Sequence, residues 1–206
     1  MDIIKSGNSL LTTKSEAFDF TNPPVDPVEL AHMLAQTMLK HNGLGLSAIQ
    51  IGIPYRVFTM KTNPIMTCFN PKIIDIGEGD VLLEEGCLSY PNLFVKIKRP
   101  NNIRVRFTLP NGETVTEKYT GITSRIFQHE LDHLDGIVYT RRANLYHLEQ
   151  AKRQQQKINS GKLRVQHQVH PQPISDEMSS SQITNYSYDS GDSNAQPTNP
   201  STIRLA

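Results

Sequence analysis

The pattern His129-Glu130-Leu131-Asp132-His133 constrains this 206-residue chain more than any other feature. Two imidazoles four residues apart differ by about 40° around a helix axis, so a helix through this segment aims both at one point. The spacing predicts a helix from about Thr120 to Leu134, with Gly136 behind it as a stop. Ile122, Ile126, His129 and His133 share one arc of that helix, while Phe127, Leu131 and Leu134 share another. Apolar groups on both sides require a buried helix. Two buried histidines beside a buried Glu130 then need a common partner. A cation is that partner, and Glu130 stands where a carboxylate takes a proton from a bound water. Taken alone, a five-residue match also arises by coincidence, so the rest of the chain has to decide.

An earlier helix is announced by Asp26 as N-cap, Pro27 at the first helical position and Glu29 closing a capping box. Ala31, Leu34, Ala35 and Met38 follow at helical spacing, and Gly43 ends the segment. Leu93, Val95 and Ile97 alternate with Phe94, Lys96 and Lys98. After Arg99-Pro100-Asn101-Asn102 the alternation resumes at Ile103, Val105 and Phe107, which reads as an antiparallel hairpin with one dry face. Asn111-Gly112 marks a further turn before Thr114-Val115-Thr116, and a charged third helix runs from about Asn144 to Lys157. The expected fold class is α+β, with mostly antiparallel β-sheets around a central buried helix. From residue 160 onward, Gly, Pro, Ser, Asn, Gln and Thr supply 26 of 47 positions, against 8 from Leu, Ile, Val and Met. Such a stretch buries too little apolar surface to offset the entropy of ordering it. The organisation expected is a catalytic domain over residues 1–158 and a low-complexity, disordered tail over residues 159–206.

A net charge of +1 excludes gripping a nucleic-acid backbone or an anionic membrane by bulk charge. Two cysteines, Cys68 and Cys87, cannot make the disulfide framework of a small secreted domain. No apolar run approaches the roughly 18 residues of a membrane span, and the first residues lack the pattern of a signal peptide. A soluble, cytoplasmic protein is expected.

The third metal ligand decides the chemistry. A zincin-type peptidase takes it downstream, where only His147 and Glu149 stand, without a supporting pattern. Upstream lies Cys87, within Glu85-Gly86-Cys87-Leu88-Ser89. One thiolate with two imidazoles leaves the fourth tetrahedral position open, the layout of a catalytic site; a lone buried Cys as a small hydrophobe is the alternative. A third segment, Gly43-Leu44-Gly45-Leu46-Ser47-Ala48-Ile49-Gln50, offers glycines for close backbone approach and ends in a side-chain amide donor.

These three segments, in this order, resemble the motifs of peptide deformylases, the last of them running from Gln128 to Gly136. The resemblance covers roughly residues 1–158. It implies a divalent metal held by Cys87, His129 and His133, with Fe²⁺ the expected ion and Zn²⁺, Ni²⁺ or Co²⁺ as alternatives. It further implies Glu130 as general acid/base, with the Gln50 amide and the Leu88 N–H holding an oxyanion, and Gly45 and the strand after Ser89 taking an extended peptide. One position departs from the family: Ser47 stands where Ala is usual. The implied activity is removal of the N-formyl group from the formylmethionine of nascent polypeptides. The alternatives are the zincin-type peptidase and a metal-stabilised module that only binds N-termini.

From the helical wheel, Ile122 and Ile126 are expected to wall a methionine pocket beside the metal, with the stem of Arg125 at its rim. Arg99 is expected to pair with Asp132. Lys96, Lys98, Arg104 and Arg106 read as a solvated face, with transient ribosome contact as the alternative. A monomer without DNA or membrane partners is expected.

Overall fold

The computed structural model describes residues 1–163 and the backbone of Thr202–Arg204. Helix α1 spans Pro27–Lys40, and the Asp26 carboxylate accepts from the Val28 and Glu29 N–H groups, as its capping residue should. Helix α2 spans Gly121–Leu134 and is buried along most of its length. Its exit is forced by Gly136, which has φ 68° and sits where a Cβ would lie 2.7 Å from the Thr12 carbonyl oxygen. Helix α3, Leu145–Asn159, is capped by Asn144.

Eight strands are described: β1 (Gly45–Ser47), β2 (Val57–Met60), β3 (Met66–Ile76), β4 (Asp80–Cys87), β5 (Tyr90–Pro100), β6 (Asn102–Thr108), β7 (Thr114–Thr120) and β8 (Thr202–Arg204). They form a five-stranded antiparallel sheet in the order β1-β2-β3-β6-β7 and a second sheet in the order β5-β4-β8. This bears out the α+β class with antiparallel sheets about a central helix, and corrects one detail. The hairpin expected from Leu93 to Phe107 does not exist, because β5 pairs with β4 whereas β6 pairs with β3 and β7. The chain turns at Pro100–Asn101 from one sheet into the other. Alternation correctly identified one dry face on each strand, but it carries no information about which strand lies alongside. The Asn111-Gly112 turn does join a true hairpin, β6 to β7, closed by the Leu109 N–H donating to the Glu113 carbonyl at 2.7 Å.

Helix α2 lies against the larger sheet. Ile126, Phe127 and Leu134 pack with Phe58, Met60, Ile103, Val105 and Phe107 in one core, where the Phe127 and Phe58 rings meet edge to face at 5.0 Å. A second core joins α1 to Leu46, Val57 and Phe69. A third sets Leu93, Val95 and Ile97 of β5 against Tyr139 and Ala151, with Cys87 at its border. The two sheets therefore meet around α2. The disordered tail expected over residues 159–206 lies outside the described residues except at its first few positions and at β8, whose backbone pairs in parallel with β4.

Candidate metal centre

Cys87 closes β4 and the two histidines project from consecutive turns of α2, one ligand from the smaller sheet and two from the central helix. Donor atoms of Cys87, His129 and His133 lie within 4.8 Å of one another, and all three residues are buried. Cys87 Sγ is 3.3 Å from His133 Nε2. Among the described residues this is the only group of His, Cys, Asp and Glu side chains so arranged. The downstream candidates His147, half-buried, and Glu149, exposed, lie on α3 and do not join it.

A cation fits this cluster on the structure's own terms. His129 Nε2 is buried without a hydrogen-bond partner, while its Nδ1 is 3.0 Å from Glu85 Oε2. If Nδ1 carries the proton, Nε2 presents its lone pair to the cluster, as carboxylate-oriented metal histidines do. Burial pushes the Cys87 thiol up and holds His133 well below its ordinary value, the neighbouring His129 adding to the latter. A neutral imidazole is what a metal needs, and a cation is what would free the thiolate. The S/N donor set suits a soft or borderline divalent ion and leaves a coordination position open.

Behind the ligands lies a buried ionic frame. Glu85 Oε1 accepts from Arg99 Nε at 2.7 Å and from Arg125 Nη1 at 2.6 Å, and Oε2 accepts from Arg99 Nη2 at 3.0 Å. Burial alone would raise the Glu85 carboxyl, yet the His129 hydrogen bond and the Arg99 charge hold it at about 2. Arg99 Nη1 also donates to Asp132 Oδ2 at 2.8 Å, the pair expected from the sequence. Arg142 Nη2 adds a bond to Asp132 Oδ1 at 2.6 Å. One guanidinium thus ties β4 to α2 between its two histidines.

Glu130 is fully buried beside the cluster. Its Oε2 accepts from Ser47 Oγ at 2.7 Å, and its Oε1 has no partner. Burial raises its carboxyl to about 8, with the Ser47 hydrogen bond opposing. Gly45 stands so close that a Cβ there would lie 2.4 Å from Glu130 Oε1, so only glycine leaves this carboxylate its place. Gln50 is held through its Oε1, which accepts from the Ser47 N–H at 2.9 Å. Its Nε2 donates to Ser89 Oγ at 3.1 Å and points at Cys87 Sγ, 3.7 Å away. Leu88 is fixed by the N-terminal segment: Lys5 Nζ donates to its carbonyl at 2.9 Å, while Ile4 and Ser6 N–H groups bond the carbonyls of Gln50 and Ser89.

The expected pocket residues separate. Ile126 is 3% exposed in the central core, whereas Ile122 is 39% exposed. Arg125 is not at a rim. It is buried, with its guanidinium on Glu85, the Ile97 carbonyl and the Val81 carbonyl, because a wheel gives a side chain's bearing and not what a long side chain reaches. The roles of Glu85, Ser47 and Lys5 were not read from the sequence. For Glu85 a signal existed, since it stands two positions before Cys87 in a strand and so on the same face.

The chain matches the family described as polypeptide deformylase over residues 1–149. It is 42% identical over 106 residues to a peptide deformylase of Thermotoga petrophila, a match over 51% of this chain. The chain spans 65% of that relative's length. A peptide deformylase of Wolbachia pipientis is 34% identical over 170 residues, 76% of this chain and 93% of the relative. A Plasmodium falciparum peptide deformylase solved with an inhibitor shares 27% identity and a TM-score of 0.68, covering 77% of this chain and 99% of that one.

Proposed function

The chain belongs to the polypeptide deformylase family, and from that premise we propose that it removes the N-formyl group from the formylmethionine of nascent polypeptides, releasing formate. The observation that carries the reading is the convergence of three buried donors on one point, beside a buried carboxylate with one oxygen unpartnered. A divalent cation held by Cys87, His129 and His133, with Fe²⁺ the ion proposed, would polarise the formyl oxygen and acidify a water.

The chain's own residues supply the rest. Glu130 Oε1 takes a proton from the attacking water and passes it to the departing amine. Ser47, holding Oε2, keeps the carboxylate in that orientation. The Gln50 amide and the Leu88 N–H are the donors for the oxyanion that develops on the formyl oxygen. The closed balance is one water consumed, one C–N bond broken, and formate and a free α-amine released. Gly45 belongs to β1, an edge strand, and offers its backbone to an extended peptide. Ile122 is proposed to receive the methionine side chain, with Ile126 packed in the core behind it and Arg125 acting through Glu85.

We further propose that the chain works as a cytoplasmic monomer, without DNA or membrane partners and with at most transient ribosome contact; no described helix is long and apolar enough to cross a membrane. The test is formate release from a formyl-methionyl tripeptide by the full chain, loaded anaerobically with Fe²⁺ or Ni²⁺. Stoichiometric metal binding without formate release would overturn the reading.

A further inference from the structure

The metal centre sits where two strand edges face the same ligands. β1 ends the larger sheet, and its approach at Gly43 comes within contact of Leu88, a Cβ there lying 3.1 Å from the Leu88 side chain. β4 runs into Cys87 itself, with one edge paired to β5. Its other edge, at residues 84–86, immediately precedes the metal ligand and, rather than the strand after Ser89, is where a peptide lying between the sheets would add backbone hydrogen bonds. β8 takes that edge, with Thr202 opposite Glu84, Ile203 opposite Glu85 and Arg204 opposite Gly86.

We propose that the segment Thr202–Arg204 is a built-in, displaceable occupant of the peptide-binding edge of β4, competing with substrate; the inference rests on the deformylase reading above. Polarity distinguishes the occupant from a substrate. A peptide with its formyl end at the metal runs away from Cys87 and so lies antiparallel to β4. β8 runs parallel to β4, so the segment covers the edge without presenting an N-terminal amide for attack. A three-residue pairing is short enough to be displaced. Being on the same chain, it needs no partner concentration to return, and tethered segments reach effective concentrations on the order of millimolar. If the edge is covered for about 70–90% of the time, the apparent affinity for peptide falls about 3- to 10-fold relative to an open edge.

The test keeps the full, metal-loaded chain and changes Ile203→Pro, which removes an N–H and resists strand pairing. The expected result is a KM for formyl-methionyl tripeptide about 3- to 10-fold lower, with kcat within about twofold. Backbone amides of residues 84–86 lose protection from hydrogen exchange in the variant. A synthetic peptide of residues 200–206 added to the variant raises KM again, as a competitive inhibitor. An unchanged KM overturns the inference, whatever the exchange shows. If neither protein releases formate, it is the deformylase reading that falls. The exchange arm then decides occupancy alone, and unchanged protection of residues 84–86 overturns that too.

Discussion

At the scale of single residues, the site depends on two carboxylate oxygens with different surroundings. Glu130 Oε2 is held by Ser47 and Oε1 is left open, so the residue can exchange a proton without leaving its bond. Glu130→Gln spares all three donors and removes the proposed base. We expect metal content unchanged by elemental analysis and kcat lower by about 10²- to 10⁴-fold. Gly45→Ala tests the same oxygen from the other side. Its Cβ would lie 2.4 Å from Oε1, so the carboxylate must turn aside. A loss of kcat on the order of 10²-fold is expected, with the circular dichroism spectrum retained, because displacing a reacting group by about 1 Å has that effect.

At the scale of elements, Arg99 links β5 to Glu85 on β4 and to Asp132 on α2. Arg99→Met leaves two buried carboxylates short of a charge partner, and breaking such a pair costs about 3–5 kcal/mol, read from the urea unfolding midpoint. How much of this was legible follows from which interactions are local. The ends of α1 and α2 were readable because caps and stops act within one turn of their own sequence. The two histidines were readable because four residues of helix place them. Cys87 came from its motif, and the Arg99–Asp132 pair from the need of a buried acid. The β5–β6 hairpin misread the sheets because a turn signal at Pro100-Asn101 cannot tell a reversal within one sheet from a passage between two. Arg125 was misplaced at a pocket rim because the call of Glu85 upon it crosses 40 residues of sequence.

At the scale of the whole molecule, the buried charges make stability depend on pH and on metal. The Glu85 carboxyl sits at about 2 in the folded chain, against its ordinary 4.5. Its contribution is therefore complete above about pH 4.5 and is lost as pH falls towards 2. Urea midpoints between pH 6 and 3 should fall, and Glu85→Gln should flatten that slope while lowering the plateau. Metal removal by a chelator should lower Tm by about 5–10 °C. A ligand at 100 times its Kd adds about 2.7 kcal/mol to the folded state, and a domain of this size shifts by about 2–4 °C per kcal/mol. A Tm indifferent to chelation would mean that the three donors hold no ion in the folded protein.

The hydrogen bonds that assemble the centre join residues far apart in sequence: Gln50 to Cys87 across 37 positions, Cys87 to His133 across 46, Ser47 to Glu130 across 83. None of them forms within a local segment, so each waits for the closure of a long loop. During synthesis the chain cannot hold its ion until α2 has emerged and both sheets have closed on it. Metal uptake should thus be a late, all-or-none event in folding, and a stopped-flow signal from the thiolate–metal bond would date the completion of the native molecule rather than any intermediate stage.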